Sequence, residues 1–344
     1  MQFKNGMNQK KVGKFFKNNM ILWVDIALGV AALLFVKNFS SPYNLRNFLL
    51  QVCDLLIISL GVTFTVLNGG LDFSSTSVLA LSSVAGAYIM ALSPIAGTGL
   101  SIGLAIVVMI LIGGAVGAIN GFSVVRLRMP SFIATLSTQL VFSGLAIYAV
   151  SLVSNTASII GIPPLFYGLG GGGTLWPPVL IAGAVFLFTH WLQTQTLFGR
   201  EVLMVGSNPK ASFISGIAVK RSVWTLFFLS GIYAGIQSII LTARNQSGMA
   251  TLGDKVYIDI MASIIIGGTS VFGGSGGAKN TLYGTLFVVL LGNVMNLMGL
   301  DWFVMFTVKG LVIIIAALTD IFFAKSATRP EKAARAKRKT ISPA

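Results

Sequence analysis

The sequence predicts an all-α membrane protein of about ten transmembrane helices, with broken or re-entrant segments and one short helix outside the membrane. Three observations carry that prediction. Of 344 residues, 55% are hydrophobic and only 10% charged, against roughly 25% charged in an ordinary soluble domain. Runs such as LSIGLAIVVMILIGGAVGAINGFSVV (100–125) carry no charge and exceed the ~20 apolar residues that cross a hydrocarbon core. The basic residues are gathered into a few loops, the pattern that insertion imposes on chains that cross a bilayer.

Taken in order, the first element is the apolar run Met20–Val36, preceded by Lys4, Lys10, Lys11, Lys14 and Lys17 and followed by KNFSSPYN. No small-residue cleavage site follows, so the run is expected to stay as an anchor. The spans are expected at about 20–37, 48–67, 73–92, 98–125, 131–152, 177–194, 223–243, 257–271, 281–298 and 302–321. With the basic N-terminus inside, Arg126 and Arg128 fall inside after the fourth span. Arg200, Lys210, Lys220 and Arg221 fall inside after the sixth. The tail with Lys325, Arg329, Lys332, Arg335, Lys337, Arg338 and Lys339 falls inside after the tenth. The expected organisation is a basic cytoplasmic tail (1–19), a membrane body (20–322) with a polar loop at 195–222, and a second basic cytoplasmic tail (323–344). The net charge of +15 then reflects topology and attraction to anionic lipid, and nucleic acid is not an expected partner.

Several activities are excluded or disfavoured. Cys53 is the only cysteine and His190 the only histidine, which rules out an internal disulfide and His/Cys metal sites and disfavours His-dependent acid–base work. Gly168–Gly173 matches GxGxxG, but Trp176-Pro177-Pro178 follows where the dinucleotide motif needs a helix directly after its turn. The Gly cluster of 153–176 is read as a flexible or tightly folded loop outside the membrane. Gly273–Gly277 matches GxSxG without the sheet and histidine that a nucleophile elbow needs. No Walker A sequence occurs.

Three segments break the helical pattern. In VLNGGLDFSSTSVLALSS (66–83), Gly69-Gly70 loosens the helix and Asp72 follows in an apolar context. An aspartate at mid-bilayer costs about 2.5–3.5 kcal/mol on insertion scales. Asp72 therefore either caps the third span with Ser74 at the membrane edge or belongs to a broken helix beside a transport path. SIIIGGTSVFGGSGGAKNTLYG (263–284) is too glycine-rich for continuous helix and loosely resembles the first segment. In GREVLMVGSNPKASFISGIAV (199–219), Asn208-Pro209 suits a helix start and Gly216 a helix end, leaving a short helix with Phe213 and Ile214 free to dock. Gly113, Gly117 and Gly121 fit close helix contact. Asp54, Asp259 and Lys309 lie in apolar runs, where they pair internally or line water.

Four ordered blocks now show a resemblance. They are GVTFTVLNGGLDFSSTSVLALS, GAINGFSVVRLRMPSFIATLST, FGREVLMVGSNPKASFISGIAVKR and the run from Ile258 through Leu318. Together they resemble the membrane permease subunit of ribose-type (monosaccharide) ABC importers, within the sugar, nucleoside and branched-chain amino acid permease family, over roughly 45–322. The resemblance implies a pore-forming subunit in a bacterial inner membrane that is not itself an enzyme. ATP and Mg would be bound by a cytoplasmic ATP-binding subunit and none by this chain. The other implied partners are an extracytoplasmic sugar-binding protein and a second permease copy or paralogue. It further implies that the short helix couples to the ATPase through Gly199, Arg200, Gly206, Asn208, Pro209, Ala211, Ser215 and Gly216. Ser207 and Ser212 depart from the glycine and alanine common in relatives, and Asn68 from threonine. Asn68, Gly69, Gly70, Asp72, Phe73, Asn293 and Asn296 are candidates for the solute path. The alternatives are an ion-gradient transporter built on Asp72, Asp259 and Lys309, or an ABC permease for a nucleoside or other non-sugar solute.

Overall fold

The computed structural model describes residues 20–156, 158–254, 256–316 and 318. The two basic tails and the end of the tenth expected span lie outside the described residues. The chain divides into two compact units, Met1–Gly299 and Leu300–Ala344.

The first unit runs α1 (Met20–Phe35), α2 (Pro42–Leu67), α3 (Ser74–Ala91), α4 (Gly99–Val125), α5 (Ser131–Ser151), β1 (Ser158–Ile159), α6 (Pro164–Tyr167), α7 (Trp176–Gln195), α8 (Leu197–Ser207), α9 (Pro209–Ile214), α10 (Val219–Asn245), β2 (Gly248–Met249), α11 (Val256–Ile266) and α12 (Ala278–Leu297). Among the described residues β1 and β2 form the only sheet, pairing Ser158 with Met249 and Ile159 with Gly248. The architecture is that of an all-α membrane protein. Six helices, α2, α3, α4, α5, α10 and α12, are long and apolar enough to cross a membrane, and α1 and α11 are shorter apolar helices. In the second unit, α13 (Trp302–Ala316) is apolar too, and the Met305 amide donates to the Asp301 carbonyl in its first turn (3.1 Å).

Caps set the boundaries. Ser41 and Thr98 accept from Asn44 N and Ser101 N (both 3.2 Å) to start α2 and α4. Each satisfies one of the amides that a helix start leaves open. α2 ends where Gly69 turns left-handed (φ +72°). The Asn68, Gly69 and Gly70 amides bond back to Thr65 and Val66 carbonyls. α11 stops at Ile266, short of the expected 271, because Gly267 and left-handed Gly268 follow (φ +91°).

α2, α3 and α10 form the interior: 83%, 72% and 72% of their most apolar stretches are buried, against 33% and 22% for α4 and α5. The last two turn large apolar side chains such as Leu111 and Leu140 outward (63% and 70% exposed), as helices bathed in lipid do. α4 and α10 make the most extensive helix pair. A Cβ at Gly113 would overlap the Gly231 carbonyl, one at Gly117 the Phe227 carbonyl, and one at Gly121 the Trp224 backbone and ring. The four-residue glycine spacing thus lets two backbones touch.

Two stretches are more ordered than the sequence suggested. The 153–176 loop holds β1, α6 and a short 3₁₀ turn at Gly168–Gly170, so of the two expectations it is the tightly folded one. Gly170 packs on the backbone of Arg244, where a side chain would overlap. Residues 197–207, for which no helix was expected, form α8: Thr196 caps it (Gly199 N to Oγ1, 3.3 Å) and Gly199, Val202 and Val205 bury one face.

Candidate functional site

The three irregular segments meet at one carbonyl. The last residue of α2, Leu67, accepts a hydrogen bond from the Gly274 amide (2.8 Å). Gly206, near the end of α8, lies against that same Leu67 oxygen and the Gly274 nitrogen, so a Cβ there would overlap backbone. Gly273 is left-handed (φ +86°) and its missing side chain leaves room for Gly69 N and Leu67 O. Only glycine fits three backbones at this separation. The Gln193 side chain at the end of α7 completes the join by accepting from Ala278 N, the first amide of α12 (2.7 Å).

Beyond Leu67, the connection from α2 to α3 is held by side chains. Asp72 is buried (1% exposed). Its Oδ1 accepts from Ser74 N (3.0 Å) and Ser74 Oγ (2.6 Å), and its Oδ2 from Ser230 Oγ on α10 (2.6 Å). Asn120 Nδ2 donates to Ser74 Oγ (2.7 Å), and Thr138 Oγ1 donates to Asn120 Oδ1 (2.8 Å). Leu71 is tied to α5 through Ser131 and Thr135. Ser230 lies about 16 Å along α10 from Val219 at 1.5 Å per residue. The break is therefore inside the bundle. Asp72 does bond the first amide of α3, as a cap would, but it does so deep in protein and also binds a third helix. A buried carboxylate survives only when its lone pairs are occupied, and serine hydroxyls occupy both oxygens.

The coupling candidates cluster on α8 and α9. Asn208 Oδ1 accepts from Ala211 N (3.0 Å) to start α9, Pro209 follows at its first position, Ser215 caps the end and Gly216 is left-handed (φ +84°). Gly199 is buried against the Gln193 backbone, while Arg200 is exposed. Gly199 and Gly206 are thus packing residues toward the bundle, and the exposed members face away from it. At the tip, Phe213 and Ile214 are 73% and 85% exposed. With Pro209, Ala218 and Val219 they line a concave apolar patch edged by Lys210, Lys220 and Arg221.

The path candidates divide. Asn68 to Phe73 lie together at the break, with Phe73 stacked on Tyr257 of α11 (ring centroids 4.0 Å, 22° apart). Asn293 is elsewhere, near the far end of α12, in a buried reciprocal amide pair with Asn44 (2.8 and 3.1 Å). Asn296 is exposed one turn further on. Asp54 finds its partner in Arg244, and Gln237 Nε2 also donates to it (3.2 Å). The sequence reading missed Arg244 because it closes α10 at a polar helix end, where a basic residue is unremarkable. Lys309 belongs to the second unit and Asp259 to the first turn of α11. The buried Cys53 fills core space beside Ile57, Ala182 and Ile240.

A bundle of membrane-length helices, a polar break buried at mid-bundle, and a short apolar-tipped helix carried by a neighbour that packs on that break fit a membrane permease. Comparison with known proteins places it further. The family model described as "Branched-chain amino acid transport system / permease component" matches residues 44–319, and the chain belongs to that family. It is 38% identical to the ribose import permease protein RbsC of Bacillus subtilis, over 82% of this chain and 86% of that one. It is 33% identical to RbsC of Escherichia coli K12, over 82% and 87%. It is 31% identical to the D-allose transport system permease protein AlsC of the same strain, over 92% and 93%.

Proposed function

We propose that this chain is the pore-forming subunit of an ATP-driven importer of a monosaccharide, with ribose the first candidate. Relatives named for ribose, arabinose and allose transport support the sugar. In this reading the chain crosses a bacterial inner membrane ten times, both tails are cytoplasmic, and residues 20–322 are the permease body. A second permease copy or paralogue completes the pore, and an extracytoplasmic binding protein delivers the solute. ATP and Mg stay on the cytoplasmic subunit, so no bond is made or broken in the permease.

The carrying observation is the contact of Gly206 with the Leu67 carbonyl. α9 would enter a groove of the ATPase by its Phe213–Ile214 tip, its basic edge facing acidic residues. Movement of α9 passes to α8, from Gly206 to the end of α2, and so to the break at Asn68–Phe73. No elastic part intervenes, because backbone meets backbone at each step. The solute path then switches access as a rigid-body rearrangement, driven by the partner's differing affinity for the two arrangements. An ion-gradient carrier would need Asp72 free to take a cation, and both its oxygens are occupied by Ser74 and Ser230.

The test is reconstitution of the chain in vesicles supplied with the extracytoplasmic binding protein, with and without the ATPase, both recovered from native membranes. Uptake of ribose that requires the ATPase and ATP and survives a proton uncoupler supports the reading. Uptake by the chain alone overturns it.

A further inference from the structure

We propose that the segment Asn245–Asp254, between α10 and α11, lines the solute path, and that Thr251 and Asp254 bind the hydroxyl groups of a neutral polyhydroxylated solute there. The proposal rests on the reading of the chain as a permease for such a solute.

α10 ends where Gln246 turns left-handed (φ +55°), and the chain then runs back down the flank of α3. A Cβ at Gly248 would overlap Ala87 and the Ser83 carbonyl, and one at Gly253 would press on the Thr76 carbonyl and Leu79. Met249 N donates to Ser83 Oγ (3.3 Å), which also accepts from Thr242 Oγ1 (2.7 Å). Between Gly248 and Gly253 the chain thus descends along α3, away from the end of that helix at Ala91. At 1.5 Å per residue, Gly253 lies about 20 Å from the level of Ala91, well inside a hydrocarbon core about 30 Å thick.

Non-helical backbone at that depth is tolerated only where it is buried in protein or lines water. This segment has one face of each kind. Ser247, Gly248, Ala250 and Gly253 are buried against the bundle, while Thr251 and Asp254 are exposed. An exposed aspartate cannot be left in lipid at such depth, so the exposed face meets water.

The groups on that face suit a sugar. The Asp254 carboxylate is an acceptor for paired hydroxyls, and the Thr251 hydroxyl both donates and accepts. One turn below, the half-buried Phe73–Tyr257 stack offers an aromatic surface for the C–H side of a ring. A few placed polar groups beside an apolar platform are the ordinary make-up of a small-molecule site.

Cysteine accessibility tests this without reference to the energy source. Cys53 is the chain's only cysteine and is buried. Thr251→Cys and Asp254→Cys are made over Cys53→Ala, or over native Cys53 with its own reactivity subtracted should that replacement impair folding. Leu111→Cys serves as the lipid-facing control. In nanodiscs, a charged, membrane-impermeant thiol reagent is expected to modify positions 251 and 254 at least ~10-fold faster than position 111, and millimolar ribose to slow that reaction at least ~3-fold. Reaction as slow as at 111, or only with a lipid-soluble maleimide, overturns the water-facing assignment. Fast reaction that neither ribose, arabinose nor allose slows overturns the assignment to solute contact. Failure of the importer reading would appear separately, as uptake independent of ATP.

Discussion

Replacing Gly206 by alanine tests the mechanical join directly. The added methyl group has no rotamer in which to escape. Its neighbours are the Leu67 carbonyl oxygen and the Gly274 nitrogen, and backbone cannot fold aside. Relief requires α8 to back away from the end of α2. Forcing an extra carbon into packed structure costs about 1–3 kcal/mol. Loosening the Gly274-to-Leu67 hydrogen bond (2.8 Å) adds about 0.5–1.5 kcal/mol. A join weakened by about 1.5–4.5 kcal/mol transmits force poorly, since about 1.4 kcal/mol is tenfold in any equilibrium it controls. α9 itself is untouched, so the ATPase should still co-purify with Gly206→Ala. The assay is ribose uptake per ATP hydrolysed in proteoliposomes, run beside Gly144→Ala, whose added methyl meets open space. The expected result is a fall of at least ~10-fold in uptake per ATP for Gly206→Ala and none for Gly144→Ala. Uptake per ATP at the unmodified level would refute the claim that motion passes through this contact.

Four further outcomes are expected. Phe213→Ser with Ile214→Ser removes exposed apolar surface only, so ATPase co-purification should fall sharply while the thermal midpoint in detergent is unchanged. Asp72→Ala leaves Ser74 and Ser230 without their acceptor and should destabilise the bundle by about 1–3 kcal/mol for each buried donor left unsatisfied; chemical unfolding measures it. Arg244→Ala leaves Asp54 with Gln237 alone and should lower the thermal midpoint, while adding Asp54→Asn should recover most of the loss. Asp25, buried in α1 with neither carboxylate oxygen hydrogen-bonded among the described residues, should give a more stable protein as Asp25→Leu. The gain is on the order of the 2.5–3.5 kcal/mol insertion cost of an unpartnered aspartate, read from the detergent melting curve.

Helix placement was legible because hydropathy fixes it. Gly99–Val125 and Ser131–Ser151 fall within a residue of the spans read from apolar runs. Local chemistry was legible where one residue decides it, as with Asn208-Pro209 and Gly216 around α9. What escaped was set by partners distant in sequence. α8 has an apolar face, Phe198, Val202, Leu203 and Val205, that packs on the end of α2, but at 11 residues it is far too short to read as a span and was missed between two longer apolar runs. Asn293 was grouped with Asn68 as a polar residue in an apolar helix, but its partner is Asn44, and no local pattern announces a pairing across 249 residues. The descent of Gln246–Gly253 was invisible for the same reason, since only contact with α3 distinguishes it from a surface loop.

The glycine seam between α4 and α10 also restricts how such a machine is able to work. Two rods fused along Gly113, Gly117, Gly121 and Gly231 have no side-chain cushion to shear, so they travel as a single plate. Any swing between open and shut must then pivot outside that seam.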